Sequence, residues 1–97
     1  MKWQVSLRSR ALDDIASARE WYDERVPGLG DDFAAEVLHG FYYLSEFGDI
    51  RPRYYGEFRQ LLVKRFPYKI FFLFDGEAVV VFRVLHAKQD HSRHLLE

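Results

Sequence analysis

The side chains most capable of chemistry in this chain are its four histidines and fourteen lysines and arginines, and they are unevenly placed. His86, His91 and His94 crowd the C-terminal end, where an imidazole can move protons near neutral pH. Arg51, Arg53, Arg59 and Arg83 belong to a second half that carries nine basic residues against five acidic ones, a balance of +4. Residues 1–50 carry five basic against ten acidic, a balance of −5, so the net charge of −1 hides an acidic half joined to a basic one. Such a split points to an acidic or polyanionic partner for the basic half. It is also what results when helices and strands merely sample different surfaces. Taken whole, the near-zero charge argues against a bulk nucleic-acid binder. His91 and His94 have a spacing that can share a cation, but no third ligand accompanies them, so neither a metal nor another cofactor is expected. With no cysteine, disulfides, thiolate metal clusters and thiol nucleophiles are excluded. No glycine-rich phosphate loop occurs, and no nucleophile–base pair has a recognisable spacing.

The elements that must position these residues are legible from periodicity. Residues 2–7 alternate, with Trp3, Val5 and Leu7 on one side, and predict a half-buried strand. Ser9 is the expected N-cap of a helix running from Arg10 to about Arg25, whose stripe is Ala11, Ile15, Ala18 and Tyr22. Pro27-Gly28-Leu29-Gly30 ends it. Asp31 is the expected cap of a second helix reaching about Phe47, with Phe33, Val37, Phe41 and Leu44 inward; the short connection predicts an antiparallel hairpin. Trp21 and Tyr42 fall opposite these stripes, as exposed aromatics suited to an interface. Residues 48–57 read as a loop. Residues 58–66, 68–74 and 78–85 read as strands, with Asp75-Gly76-Glu77 as a hairpin turn. Ile70, Phe72 and Phe74 face one way and Phe71 and Leu73 the other, so the helices cover one face and a second buried surface, or a partner, covers the other. Arg83 is placed with Val79, Val81 and Leu85, where a charge must snorkel, pair or meet a partner. The order β-α-α-β-β-β gives an α+β domain in which a helical hairpin lies on a largely antiparallel sheet. Ninety-seven residues fit one domain, 1–97. Apolar runs of at most five residues span no membrane, and Met1-Lys2-Trp3-Gln4-Val5 lacks a secretory stretch, so a cytoplasmic protein is expected. Leu96-Glu97 are of the kind left by cloning ahead of a tag, and no function is attached to them.

The run Arg59-Gln60-Leu61-Leu62-Val63-Lys64-Arg65-Phe66-Pro67-Tyr68-Lys69-Ile70-Phe71-Phe72 resembles the central strands of the RelE/ParE toxin superfamily. So does the last strand with its exit, Val79-Val80-Val81-Phe82-Arg83-Val84-Leu85-His86-Ala87-Lys88-Gln89-Asp90, and so do the first helix and the turn at Pro27. The resemblance covers essentially the whole chain. It implies the toxin of a type II toxin–antitoxin system, wrapped by an antitoxin that commonly uses a helix and an extended segment. Two target classes share the fold: RelE-like members cut messenger RNA in the ribosome, whereas ParE-like members inhibit DNA gyrase. Fold alone does not choose.

The residues weigh the two classes. A ribonuclease must activate a 2′-hydroxyl, protonate the leaving oxygen and stabilise phosphorane-like charge. Arg59 matches the strand arginine that contacts phosphate in the nucleases, and Arg51 and Arg53 sit where that branch has a basic stretch. Against this, Gln89 stands where RelE itself has an arginine, Leu95 lies near where its tyrosine would be, and no tyrosine follows Tyr68. His86 closes a Val-Leu-His pattern typical of the ParE-like branch and is expected in a structural hydrogen bond, with His91 and His94 solvated. For Arg59, a carboxylate such as Asp14 or Glu20 is the plain alternative partner; for Arg83, a helix carboxylate is. The resemblance therefore favours a ParE-like toxin that inhibits DNA gyrase by binding and is not an enzyme, with Arg51, Arg53, Arg59 and Arg83 contacting antitoxin or target. The alternative is a ribosome-dependent mRNA endonuclease with Arg59, Arg83 and His86 as a reduced catalytic set; a relative that only binds antitoxin is the third. A homodimer or a toxin–antitoxin hetero-oligomer is compatible with either.

Overall fold

The computed structural model of the chain describes residues 2–96. Strand β1 (Gln4–Leu7) leads into helix α1 (Ser9–Arg25), and α2 (Leu29–Phe47) folds back along it. A short 3-10 turn (Gly48–Ile50) precedes β2 (Arg53–Tyr55), β3 (Phe58–Leu62), β4 (Tyr68–Asp75) and β5 (Ala78–His86), and a single-turn helix α3 (His91–Leu95) closes the described chain. The strands form one sheet in the order β1-β5-β4-β3-β2. β1 runs parallel to β5 and every other pairing is antiparallel.

The helix ends fall slightly off the expected caps. α1 begins at Ser9 with Arg8 as N-cap, and no side chain caps it. α2 begins two residues before Asp31, after Gly28 in the left-handed region at φ +89°, which only glycine adopts at no steric cost. Asp31 and Asp32 lie in the first turn, where carboxylates favour the helix dipole. The hairpin is tight because of Gly30. A Cβ there would sit 2.3 Å from the Arg19 carbonyl oxygen, and the Gly30 N–H instead donates to the Asp23 carboxylate at 2.7 Å. An Arg19–Asp31 ion pair ties the same two turns.

The hairpin buries Ala11, Ala18, Phe33, Val37 and Leu44 against Ile70, Phe72, Val79, Val81 and Val84 of the sheet. Phe33, Tyr22, Phe66 and Tyr68 pack edge-on and tilted around one another, with centroids 5.0–6.2 Å apart. Across the sheet, Phe71 and Leu85 form a second cluster with Leu95, flanked by Phe58 and Phe82. The second apolar face is therefore covered in part by the chain's own α3. This corrects the expectation of a solvated tail: His91 is buried at 7% exposure.

Two further differences have local causes. Residues 63–67 leave the strand because Val63 N–H bonds to the Tyr68 carbonyl, forming a turn in which Arg65 takes φ +71°. Residues 48–57 are not wholly loop, since Arg53–Tyr55 adds an edge strand. β5 carries a bulge opposite Phe71/Phe72, and this breaks the alternation read from sequence. Val79 and Val81 pack under the helices, Leu85 joins the opposite cluster, and Arg83 is opposed to Phe71.

Candidate functional site

Four arginines and a histidine were singled out by sequence, and the fold employs most of them in holding elements together. Arg83 leaves β5 at the bulge and meets Asp14 of α1 in a two-pronged pair: Nε donates to Oδ2 at 2.8 Å and Nη2 to Oδ1 at 2.9 Å. Both side chains are nearly buried, at 11% and 14% exposure. Asp14 Oδ2 also accepts the backbone N–H of Val84 at 2.9 Å. The reason is topological. β1 pairs with β5 only as far as Leu7–Val81, with Arg8 N–H reaching the Val81 carbonyl, so the next part of β5 lacks a neighbouring strand and the carboxylate takes its place. The helix carboxylate considered as a partner for Arg83 is present, and Nη1 also reaches the His94 carbonyl at 3.5 Å.

Arg59 does not pair with Asp14 or Glu20. Its Nη1 donates to the carbonyls of Asp49 at 3.0 Å and Arg51 at 2.6 Å, and its guanidinium lies over the Phe74 ring at 5.1 Å. Arg51 answers by donating Nε to the Gln60 carbonyl at 3.1 Å. The two arginines form a reciprocal latch that fixes the exit of α2 on β3. Arg53 is exposed on the edge strand, 3.4 Å from Glu57, which is a weak surface pair.

His86 sits in a turn closed on itself. Its Nδ1 accepts the Lys88 N–H at 3.1 Å, so a neutral ring carries its proton on Nε2. Its own N–H donates to Gln89 Oε1 at 2.8 Å, and its carbonyl accepts from Gln89 N–H and from His91 Nε2. Gln89, where an arginine would serve a nuclease, is thus a turn-forming residue. The expected structural role of His86 agrees with this network.

The three residues of the reduced catalytic set do not converge. Arg59 is opposed to Phe72 and His86 to Tyr68, four residues apart along β4 or roughly 13 Å at the rise of a strand. Arg83 is turned into its ion pair. What the fold does gather on the second sheet face is a group that sequence reading missed: Tyr54, Lys69 and His91. Tyr54 O–H donates to His91 Nδ1 at 3.4 Å, its ring packs 5.7 Å from Phe71, and Lys69 Nζ lies 5.7 Å from the Tyr54 ring centre. Both nitrogens of His91 are hydrogen-bonded, which fixes its ring between Tyr54 and the end of β5. Only a helical reading of the tail, from Asp90 followed by Ser92 and Arg93, could have found it. Asp90 caps α3, and hydrogen bonds from Ser92 O–H and Arg93 N–H hold its carboxyl below the usual range.

A cleft of about 560 Å³ opens between α1 and the ends of β4 and β5, lined among others by Asp14, Trp21, Tyr22, Tyr68 and His86. Burial raises both phenols above their ordinary value, and for Tyr68 the neighbouring Tyr22 and the Asp14 carboxylate add to it. Tyr22 and Tyr68 are therefore neutral hydroxyls at physiological pH. No described helix is long and apolar enough to cross a membrane.

The fold resembles a solved structure of the chromosomal ParDE toxin–antitoxin system from P. aeruginosa, with a TM-score of 0.79 and 16% identity over 88% of this chain and 96% of that one. No curated protein shows a significant match. The sequence pattern of the ParE toxin of the type II toxin–antitoxin system parDE matches residues 5–91, from β1 to the first residue of α3. With that match over nearly all of its length, on a sheet and hairpin of the same architecture, the chain belongs to the ParE toxin family of type II toxin–antitoxin systems.

Proposed function

We propose that this toxin acts by binding DNA gyrase and halting its cleavage cycle, without chemistry of its own, and that a cognate antitoxin neutralises it. One observation carries the preference: the cations a ribonuclease would aim at a phosphate are turned inward. Arg83 grips Asp14, Arg59 grips two carbonyls, and His86 is knotted into a turn. A guanidinium already saturated by a buried carboxylate offers little transition-state stabilisation to a passing substrate.

The antitoxin's acidic or extended segment is placed on the sheet half. Of the arginines assigned to that contact, Arg53 is exposed, while Arg51, Arg59 and Arg83 support the surface from beneath. Tyr54 and Tyr55, 47% and 38% exposed, and Lys69 form a basic, aromatic patch on the second sheet face, and Arg53 stands on the same edge strand as the two tyrosines but toward the helix face. Aromatic and cationic side chains are favoured anchors for such partners.

The deciding experiment adds purified toxin to gyrase and reads supercoiling and cleavage-complex formation. Inhibition at stoichiometric toxin is expected. No effect at a large molar excess, together with codon-positioned cuts in primer extension on programmed ribosomes, would replace this reading with the nuclease one. Calorimetry on the antitoxin complex tests the patch: Arg53→Glu with Lys69→Glu should weaken binding at least tenfold.

A further inference from the structure

The cleft between α1 and the ends of β4 and β5 takes no part in the contacts proposed for gyrase or antitoxin, and none of Arg53, Tyr54, Tyr55 or Lys69 lines it. At about 560 Å³ it falls within the range of small-molecule pockets, roughly 300–1,000 Å³. Its walls are aromatic: Trp21 and Tyr22 come from α1, Tyr68 from the start of β4 and His86 from the end of β5. The Trp21 and Tyr22 rings meet edge-on at 5.1 Å, and His86 meets Tyr68 in the same way at 5.3 Å. Flat aromatic walls favour a flat ligand.

The polar groups of the cleft are unequal in what they offer. Among the described residues, no hydrogen bond uses the hydroxyl of Tyr22, the hydroxyl of Tyr68 or Nε2 of His86. None of these atoms is sealed from solvent, because Gln60 Oε1 is the one buried side-chain polar atom without a partner among the described residues. All three are donors. Burial raises the phenols and keeps their protons on, and the imidazole that accepts the Lys88 N–H through Nδ1 carries its own proton on Nε2. The one carboxylate lining the cleft, Asp14, is committed to Arg83 and to the Val84 N–H. No lysine or arginine lines it, and the nearby Arg25 lies over the Trp21 ring, tied to the Trp21 carbonyl.

We propose that this cleft is a binding site for a small, planar, uncharged ligand with a carbonyl acceptor, an aromatic amide or a ring lactam, held through the Tyr22 and Tyr68 hydroxyls and His86 Nε2. Charge decides the class. An anion would find no cation in the cleft and would feel the Asp14 carboxylate, whose field already reaches the Tyr68 phenol. A cation would find its counter-charge taken by Arg83 and would turn its own donors on open donors. A neutral carbonyl satisfies the donors and meets neither penalty.

Three probes of one shape separate these classes: benzamide is neutral and carries the acceptor, benzoate is anionic, and benzamidine is cationic and lacks the acceptor. Titrated into the full-length, nitrogen-15-labelled toxin, benzamide should bind saturably with a Kd of roughly 1 mM, which is within reach of so small a ligand. The shifted resonances should be confined to residues lining the cleft, the Trp21 indole N–H among them. Benzoate and benzamidine should each bind at least about tenfold more weakly. Tyr22→Phe and Tyr68→Phe should each weaken benzamide by about three- to tenfold, the worth of one hydrogen bond, with the circular dichroism spectrum and the urea midpoint at neutral pH unchanged. Absence of a saturable shift at about twentyfold above that Kd overturns the proposal. So does equal binding of either charged probe, or a benzamide affinity that neither tyrosine substitution moves.

Discussion

Asp14→Ala should be the most damaging single truncation of a charged residue in this protein. It removes both prongs of the Arg83 pair, at 2.8 and 2.9 Å, and the acceptor of the Val84 N–H. Removing one partner of a buried pair leaves an uncompensated charge and costs about 3–5 kcal/mol. Arg83 is 11% exposed, so it can draw some water, and the lower half of that range, about 3–4 kcal/mol, is expected. A chain of this length has roughly 5–15 kcal/mol in all. The variant should fold, with its urea midpoint lowered by about 1.5–2 M for a slope near 2 kcal/mol/M. Arg83→Met should cost less, about 2 kcal/mol, because Asp14 keeps the Val84 N–H and is more exposed. The double variant should recover about 2 kcal/mol relative to the sum, since each single change leaves its partner stranded. Urea unfolding followed by tryptophan fluorescence reads all four corners of the cycle. Additivity within about 0.5 kcal/mol would refute the claim that the two groups act on each other. A large loss of antitoxin affinity in folded Arg83→Met would refute the further claim that this arginine works inside the toxin.

Gly30→Ala should destabilise by about 2–3 kcal/mol, because its methyl group meets a backbone carbonyl that cannot move without opening the hairpin; a change under 0.5 kcal/mol in urea unfolding would contradict the close approach. Arg65→Gly should stabilise by at most about 0.5 kcal/mol, since it relieves a left-handed backbone but gives up 3.7 Å contacts to Asp32 and to the largely buried Glu36 and the guanidinium's place 5.5 Å over the Phe66 ring; a lower melting temperature would show that those contacts outweigh the strain. The raised Tyr22 and Tyr68 phenols bind their protons more tightly folded than unfolded, so their contribution is complete below pH 10 and is lost as pH rises through the folded values. Spectrophotometric titration at 295 nm should resolve two tyrosines ionising above the rest, and Tyr68→Phe should remove one of them and flatten the alkaline loss of stability.

How much of this was legible beforehand depended on the range of the interaction. The helical stripes, the hairpin turn at Gly76 and the two-faced strand β4 follow from spacing alone, and the fold places them as read. The bulge in β5 was hidden, because alternation gives no sign of an extra residue; Arg83 was therefore assigned to the wrong set of neighbours. α3 was hidden too. Its five residues are too few for a periodic signal, and its stability comes from docking Leu95 and His91 on Phe71, a contact between distant parts of the chain. The partners of Arg59 were invisible for a third reason: a backbone carbonyl has no letter in a sequence, and a search for acids opposite an arginine passes over it.

The same point changes what the charge asymmetry means. Three arginines of the basic half tie two helical elements to the sheet: Arg51 and Arg59 the exit of α2, Arg83 helix α1. A guanidinium presents several donors in a rigid fork and can satisfy two acceptors at once, where lysine offers a single point charge. Arg65 reaches Asp32 and Glu36 of α2 as well, so part of the acidic half is answered within the chain. The segregation along the sequence is then a consequence of layering: acids ride on the helices, bases on the strands, and the two meet where the layers pack. Outside that matching, Arg53 on the edge strand β2 has only a weak surface pair with Glu57, and Lys69 of β4 lies beside the Tyr54 ring.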